Sequence, residues 1–304
     1  MRFFARITLA AVACAAASAV GAPAHAVAPG AAGAVAFARD GNIHVRAEDG
    51  TTSQVTRDGL SSWPRWSPKD ASQLAYVHAG DLWLANIYEN GEVSRWQVTH
   101  GRHASGPAWS PDARWLAFLD GGYLYRVRVG FDQNATVTAA EPLARDAGPS
   151  NLRESRSVAW SPDGTLIAYP GTGCDGIHDD CLTVLNLTTN AETTLGVHGG
   201  GGALPGYSTT PAFTADGSRV LWTTQRETGD GQTWTPVQVN SANPTGGDYR
   251  LVGDDGDAQP APSPAGDALL VVAKRDGANW IVLVRADGTR QPLIRGTQPD
   301  WQVL

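Results

Sequence analysis

Val158-Ala159-Trp160-Ser161-Pro162-Asp163-Gly164-Thr165-Leu166-Ile167-Ala168-Tyr169 reads as two short apolar runs folded back on each other by a tight turn. Pro presets φ, Asp bonds its own backbone and Gly accepts positive φ, so Ser-Pro-Asp-Gly is turn chemistry. Neither flank is long enough for a helix, and Leu166 to Tyr169 is rich in β-forming residues.

The same pattern recurs. It appears as Pro64-Arg65-Trp66-Ser67-Pro68-Lys69-Asp70 before Leu74-Ala75-Tyr76, and as Pro107-Ala108-Trp109-Ser110-Pro111-Asp112 before Leu116-Ala117-Phe118. A fourth copy, Pro211-Ala212-Phe213-Thr214-Ala215-Asp216-Gly217, and a fifth, Pro260-Ala261-Pro262-Ser263-Pro264-Ala265-Gly266, replace the Trp by Phe213 and Pro262. A truncated copy, Pro299-Asp300-Trp301, closes the chain. The key positions are 66, 109, 160, 213, 262 and 301, with gaps of 43, 51, 53, 49 and 39. Periods of this size belong to propeller blades or helical arrays. Strands decide between them. Each turn leads into a short β-rich run, then a second such as Tyr123 to Val127, Leu182 to Leu185, Thr233 to Val239 or Trp280 to Val284, then a weaker edge run such as Val93 to Thr99. No mature segment carries a 3.6-residue period.

The expected fold is therefore an all-β, six-bladed β-propeller of four-stranded antiparallel blades. Ala34 to Ala38, Ile43 to Ala47 and Thr52 to Thr56 form a unit lacking its first strand, and Trp301 to Leu304 is a first strand without followers. Pairing the two chain ends completes one blade and closes the ring. A blade then averages about 46 residues, near the usual propeller unit. Trp66, Trp109 and Trp160 repeat at equivalent positions and are expected as core between blades.

These repeats resemble those of TolB-like six-bladed β-propellers, related in pattern to WD-type repeats, over essentially the whole mature chain. The carrying motif is Trp-Ser-Pro-Asp-Gly followed by Ile-Ala-Tyr, well kept in three copies. The resemblance implies a periplasmic or secreted protein that binds a protein partner at the mouth of a central channel. Similar propellers also form the non-catalytic half of prolyl-oligopeptidase-type peptidases; no hydrolase domain is expected within the residues up to Leu304.

Residues 1–26 read as a secretory signal peptide: Arg2 and Arg6, an apolar run from Ile7 to Val20, and Ala24-His25-Ala26 before the cleavage point. The propeller domain is then 27–304. A lipoprotein reading through Cys14 is disfavoured, because Ala11 stands where such signals carry Leu. No other stretch approaches bilayer-spanning length. Cys174 and Cys181 remain after cleavage and are expected as a disulfide in an oxidising compartment. Arg2 and Arg6 leave with the signal, so 23 basic residues fall to 21 against 30 acidic ones. That acidic balance disfavours binding to a phosphate backbone.

Catalytic patterns are scarce. There is no GxSxG, HExxH or P-loop. Gly171-Thr172-Gly173-Cys174-Asp175-Gly176 matches GxGxxG but runs into the cysteine hairpin instead of opening a helix, so it reads as loop glycine. Strand direction alternates along a blade, so loops entering the first strand share a face with hairpins joining the second and third strands. The ligand-facing candidates on that face are Arg102, His103, Arg153, Glu154, Arg156, Tyr207, Asp255 and Asp257, with Asp175, His178, Asp179, Asp180, Arg226, Glu227 and Asp230 from the hairpins. Asp179-Asp180 and Asp254-Asp255-Asp257 are the acidic pairs that calcium would use, though neither follows the spaced calcium-loop pattern. No cofactor is expected. The leading expectation is a monomeric, exported, non-enzymatic scaffold for a protein or peptide. The alternative is a propeller hydrolase or glycan lyase, for which His103, Arg153, Glu154 and Arg156 approximate a site.

Overall fold

The computed structural model describes residues 31–130, 139–145, 156–171, 174 and 177–304. The signal-peptide reading and the candidates Arg153, Glu154 and Asp175 lie outside the described residues.

Twenty-four strands follow one another without a helix among the described residues. The chain opens with β1 (Ala32–Arg39), β2 (Asn42–Arg46) and β3 (Thr52–Gln54). Blade 2 holds β4 (Ser61–Trp66), β5 (Gln73–His78), β6 (Asp81–Ile87) and β7 (Val93–Gln97). Blade 3 holds β8 (Ser105–Trp109), β9 (Trp115–Asp120), β10 (Tyr123–Arg128) and β11 (Glu141–Arg145). Blade 4 holds β12 (Ala159–Trp160), β13 (Leu166–Gly171), β14 (His178–Asn186) and β15 (Glu192–Gly200). Blade 5 holds β16 (Gly206–Phe213), β17 (Val220–Arg226), β18 (Gln238–Ala242) and β19 (Arg250–Val252). Blade 6 holds β20 (Ala258–Pro262), β21 (Ala268–Arg275), β22 (Ala278–Arg285) and β23 (Arg290–Arg295), and β24 (Thr297–Val303) returns to blade 1.

Each blade is a four-stranded antiparallel sheet, and the first has the order β24-β1-β2-β3. The two chain ends pair as expected, with Val35 opposite Trp301 and Ala36 opposite Asp300. The strand expected over Thr233 to Val239 is corrected: β18 begins at Gln238. Asp230 Oδ1 accepts the amides of Gln232 and Thr233, which bends the chain there, and Pro236 offers no amide to a ladder. Among the described residues no helix is long and apolar enough to cross a membrane.

The turn chemistry operates as written in the sequence. Ser161 Oγ donates to Asp163 Oδ1 at 2.6 Å and accepts the Leu166 amide at 2.8 Å, while Asp163 Oδ1 accepts the Thr165 amide at 3.0 Å. Ser110 and Asp112 repeat this in blade 3, and Thr214 takes the serine's part beside Asp216 in blade 5. These aspartates serve the backbone.

The core is a set of inter-blade layers. Trp66 packs with Ala36, Ile43 and Leu74 between blades 1 and 2, and Trp109 with Val77, Leu82 and Leu116 between blades 2 and 3. Trp160 fills the next interface, Phe213 the one after, and Trp301 the closing interface between blades 6 and 1. The layer between blades 5 and 6 is built from Leu221, Val239, Leu269, Val271 and Val282, because the repeat position there is Pro262.

A second repeat lies in the innermost strands. Trp63, Gly106, Thr210, Gln259 and Gln298 all have positive φ, each precedes a proline, and each marks a register shift in its strand. These bulges staple the ring. Trp63 N donates to Gln298 Oε1, Gln298 N to Gln259 Oε1 and Gln259 N to Thr223 Oγ1, all at 2.7 Å. Between blades 3 and 4 the link is backbone to backbone, from Val158 N to Gly106 O at 2.9 Å.

Arg65 and Asp300 stand in the channel wall, and Asp300 Oδ2 accepts the Trp66 amide at 2.7 Å. Burial pushes the Asp300 carboxyl up to about 6, against the opposing pull of Arg65 and the Trp66 amide. The fold thus favours the protonated form. That contribution is complete below about pH 4, the unfolded value, and is lost as pH rises through about 6. Subtracting the urea-unfolding stability of Asp300→Asn from that of the parent should give a difference that falls by about 1 kcal/mol per pH unit across this window. A difference independent of pH would remove Asp300 from the titration.

Candidate functional site

Loops entering each first strand and hairpins joining second to third strands share one face, here the loop face; Ser-Pro-Asp-Gly turns occupy the opposite turn face. On the loop face, blades 1, 2, 3 and 6 close their hairpins with two residues. Asp40-Gly41, Ala79-Gly80, Gly121-Gly122 and Asp276-Gly277 all have positive φ at both positions, the conformation that matches the twist of the flanking strands. Blades 4 and 5 differ. Six positions separate β13 from β14 and eleven separate β17 from β18, and β14 and β15 each extend to nine residues. The loop face is therefore asymmetric, with its added chain concentrated over two neighbouring blades.

This region exposes apolar side chains. Ile177 is 58% exposed, Trp234 47% and Leu204 37%. A Cβ on Gly201 would press on Ile177 Cγ2, and one on Gly229 would touch Leu204 Cδ2, so the hairpins of both blades reach the connecting loop 201–205. Glu227 N donates to Pro205 O at 2.8 Å and ties the blade 5 hairpin to that loop. Arg226 is exposed beside it, and the Tyr207 hydroxyl donates to Gln225 Oε1 at 3.1 Å. Cys174 and Cys181 are joined as expected, with Cα atoms 6.2 Å apart, which fixes the base of the blade 4 hairpin. Intact mass of the native protein should lie two hydrogens below the reduced form; two alkylatable thiols without reductant would contradict the bond.

Under the surface lies a buried polar cluster of Arg156, Asp180, His198, Ser208 and Thr224. Asp180 Oδ1 accepts the Ser208 amide at 2.7 Å, and Arg156 Nη2 donates to Pro170 O at 2.8 Å. Ser208 Oγ donates to Gly196 O and Thr224 Oγ1 to Tyr207 O. Each hydroxyl proton is thereby used, which leaves His198 Nε2 as the donor to both hydroxyls at 3.1 Å. Burial, then Arg226, pushes the His198 imidazole down to about 4, and burial pushes the Asp180 carboxyl up to about 7. Ser, His and Asp are present, but in the wrong relation for nucleophilic catalysis. Asp180 takes a backbone amide and the serine proton goes to a carbonyl, so the serine oxygen is not activated. The cluster instead anchors β14, β15, β16 and β17 beneath the exposed loops.

The other candidates are dispersed. Arg102 meets Asp120 at 3.3 Å and stacks 4.9 Å over Tyr125, while the exposed His103 donates its amide to Asp120 Oδ1. Asp81 holds that loop by accepting Thr99 Oγ1 and the amides of Gly101 and Arg102. Asp257 is buried in a two-oxygen pairing with Arg290 at 2.7 and 3.0 Å, and Asp254 meets the same guanidinium at 3.2 Å. Asp255 accepts from Gln238 Nε2. This acidic run is thus committed to Arg290 and Gln238. Asp179 is exposed while Asp180 points inward, as strand alternation requires. Among the described residues no group of three or more His, Cys, Asp or Glu is placed to hold a metal ion. Sequence reasoning passed over Ile177, His198, Leu204 and Trp234. For Trp234 a signal existed: it stands outside the repeat positions that account for Trp66, Trp109 and Trp160.

No protein-family profile matches the chain, and no curated protein matches it by sequence. Solved structures do. TolB from Acinetobacter baumannii superposes with a TM-score of 0.65 at 17% identity, over 89% of this chain and 66% of that one. A putative TolB from Agrobacterium tumefaciens gives 0.62 at 18% identity, over 88% and 90%. The fold is a TolB-like six-bladed β-propeller. A chain from a nidogen/laminin complex has the same architecture, with a TM-score of 0.59 at 11% identity over 89% and 98%. At these identities the likeness is one of fold.

The channel of this TolB-like propeller is uneven. A cavity of about 110 Å³, lined by Arg65, Trp66, Pro260 and Asp300, reaches Pro68 and Val303 near the turn face. A separate pocket of about 20 Å³ lies beside Thr210, Gln259 and Gln298.

Proposed function

We propose that this protein is an exported, non-enzymatic scaffold that binds a protein or peptide on its loop face, over blades 4 and 5. The observation that carries the reading is the group Ile177, Leu204 and Trp234, exposed on loops anchored by a disulfide and a buried hydrogen-bond cluster. Exposed apolar side chains rimmed by polar groups are the usual mark of a protein interface, and Trp with Arg is the composition of binding hot spots. A surface held rigid before binding loses little entropy on association. The reading of residues 1–26 as a signal peptide, together with the disulfide, supports an extracytoplasmic site of action.

The test is recovery of a partner from cell envelope or culture fluid by the native protein, Trp234→Ala and Arg226→Glu. Trp234→Ala should weaken the captured interaction at least about 30-fold, as expected for loss of a hot-spot aromatic of about 2 kcal/mol. Its melting temperature should change little, because Trp234 belongs to none of the inter-blade core layers. Equal recovery by both variants contradicts the assignment.

A further inference from the structure

Five of the six inter-blade layers are wedged by an aromatic ring from the same repeat position: Trp66, Trp109, Trp160, Phe213 and Trp301. The sixth carries Pro262, whose ring cannot reach across the interface. At that interface the structure has an open cleft of about 720 Å³ on the turn face, between blades 5 and 6. Its floor is apolar: Leu221 and Val252 from blade 5, and Pro262, Leu269 and Val284 from blade 6. Size and lining fall in the range of small-molecule sites.

The rim carries both signs of charge in equal number, Arg219 and Arg285 with Asp216 and Asp267. All four have partners: Arg219 binds Asp248 and Ser241, Arg285 binds Gln291, Asp216 accepts from Thr214 and Ser218, and Asp267 accepts from Ser263. The rim offers neither sign of ligand a net attraction, and the apolar floor penalises a buried charge.

We infer that this cleft binds an uncharged aromatic small molecule, whose ring takes the place that the repeat's own aromatic side chain fills in every other layer. The site lies on the opposite face from the protein-binding surface proposed above and does not depend on it.

The probe is N-phenyl-1-naphthylamine, an uncharged fluorophore that brightens in apolar surroundings, titrated into the full mature chain. One saturable site per chain is expected. Pro262→Trp restores the aromatic wedge and should weaken probe binding at least tenfold while raising the melting temperature. Should Pro262→Trp lack the parent's circular dichroism, Val284→Phe narrows the same cleft from its half-buried wall and should have the same effect on the probe. Undiminished binding by a folded filling variant overturns the inference. So does the absence of saturable binding, or a signal abolished by Trp234→Ala, which would place the probe on the loop face.

Discussion

Cutting the chain after Gly296 should abolish the cooperative thermal transition. The removed strand, β24, is the innermost strand of blade 1 and the sole partner of β1 on that side. With it go the Trp301 ring from the layer containing Val35, Phe37, Leu270 and Val272, and the acceptors that hold the Trp63 and Trp66 amides. A propeller without its closing strand exposes an edge and two half-layers at once. The single substitution Trp301→Ala isolates the packing share. Loss of a large aromatic from a core costs about 3–5 kcal/mol, and the half-burial of this one puts it at the lower end. For a domain of this size that is a melting temperature lower by about 6–12 °C. An unchanged melting curve for the truncated chain would mean that the ring does not depend on its seam.

Gly106→Ala should be nearly as damaging, although it adds one methyl group. Positive φ is the lesser reason, since Trp63, Thr210, Gln259 and Gln298 adopt it at equivalent positions. The reason is approach. A Cβ on Gly106 would meet Ser157 Cα and the Arg156 carbonyl of blade 4 at 2.1 and 2.4 Å, contacts with backbone that cannot rotate away. Here alone among the described links the innermost strands join through a backbone bond, Val158 N to Gly106 O, instead of through a Gln or Thr side chain. Separating blades 3 and 4 enough for the methyl would break that bond and open the Trp160 layer, at a cost of about 3 kcal/mol or more. Denaturant unfolding measures this directly, and a Gly106→Ala midpoint within error of the parent would contradict the close approach. Thr210→Ala, with the same φ but a side chain already present, should cost far less.

The two results also show what could be read from the chain in advance. Blade count, strand order and ring closure were legible because propeller layers need the same residues at the same place in each unit: Trp66, Trp109 and Trp160 wedge blades, and Ser161 with Asp163 closes a turn by local bonds. Local chemistry repeated along the chain is hard to miss. The bulges at Trp63, Gln259 and Gln298 were not legible, because their hydrogen bonds run between blades and link residues up to 235 positions apart. The loop face was only partly legible. Topology puts Arg102, Tyr207 and Arg226 there, yet Arg156 and Asp257 turn out buried, since charge alone does not reveal an inward-facing partner such as Pro170 O or Arg290. Ile177, Leu204 and Trp234 carry no charge to flag them. Their significance comes from exposure, which depends on two hairpins being longer than the other four.

The most direct measurement of the proposed role is site-specific photo-crosslinking in the cells that export the protein, with a benzophenone side chain placed at Trp234, at Leu204 or, as a reference on the outer edge of blade 1, at Thr52. A discrete protein adduct at 234 and 204, absent at 52, is the predicted result. No adduct at either loop-face position, or the same adduct from all three, would contradict a binding surface over blades 4 and 5.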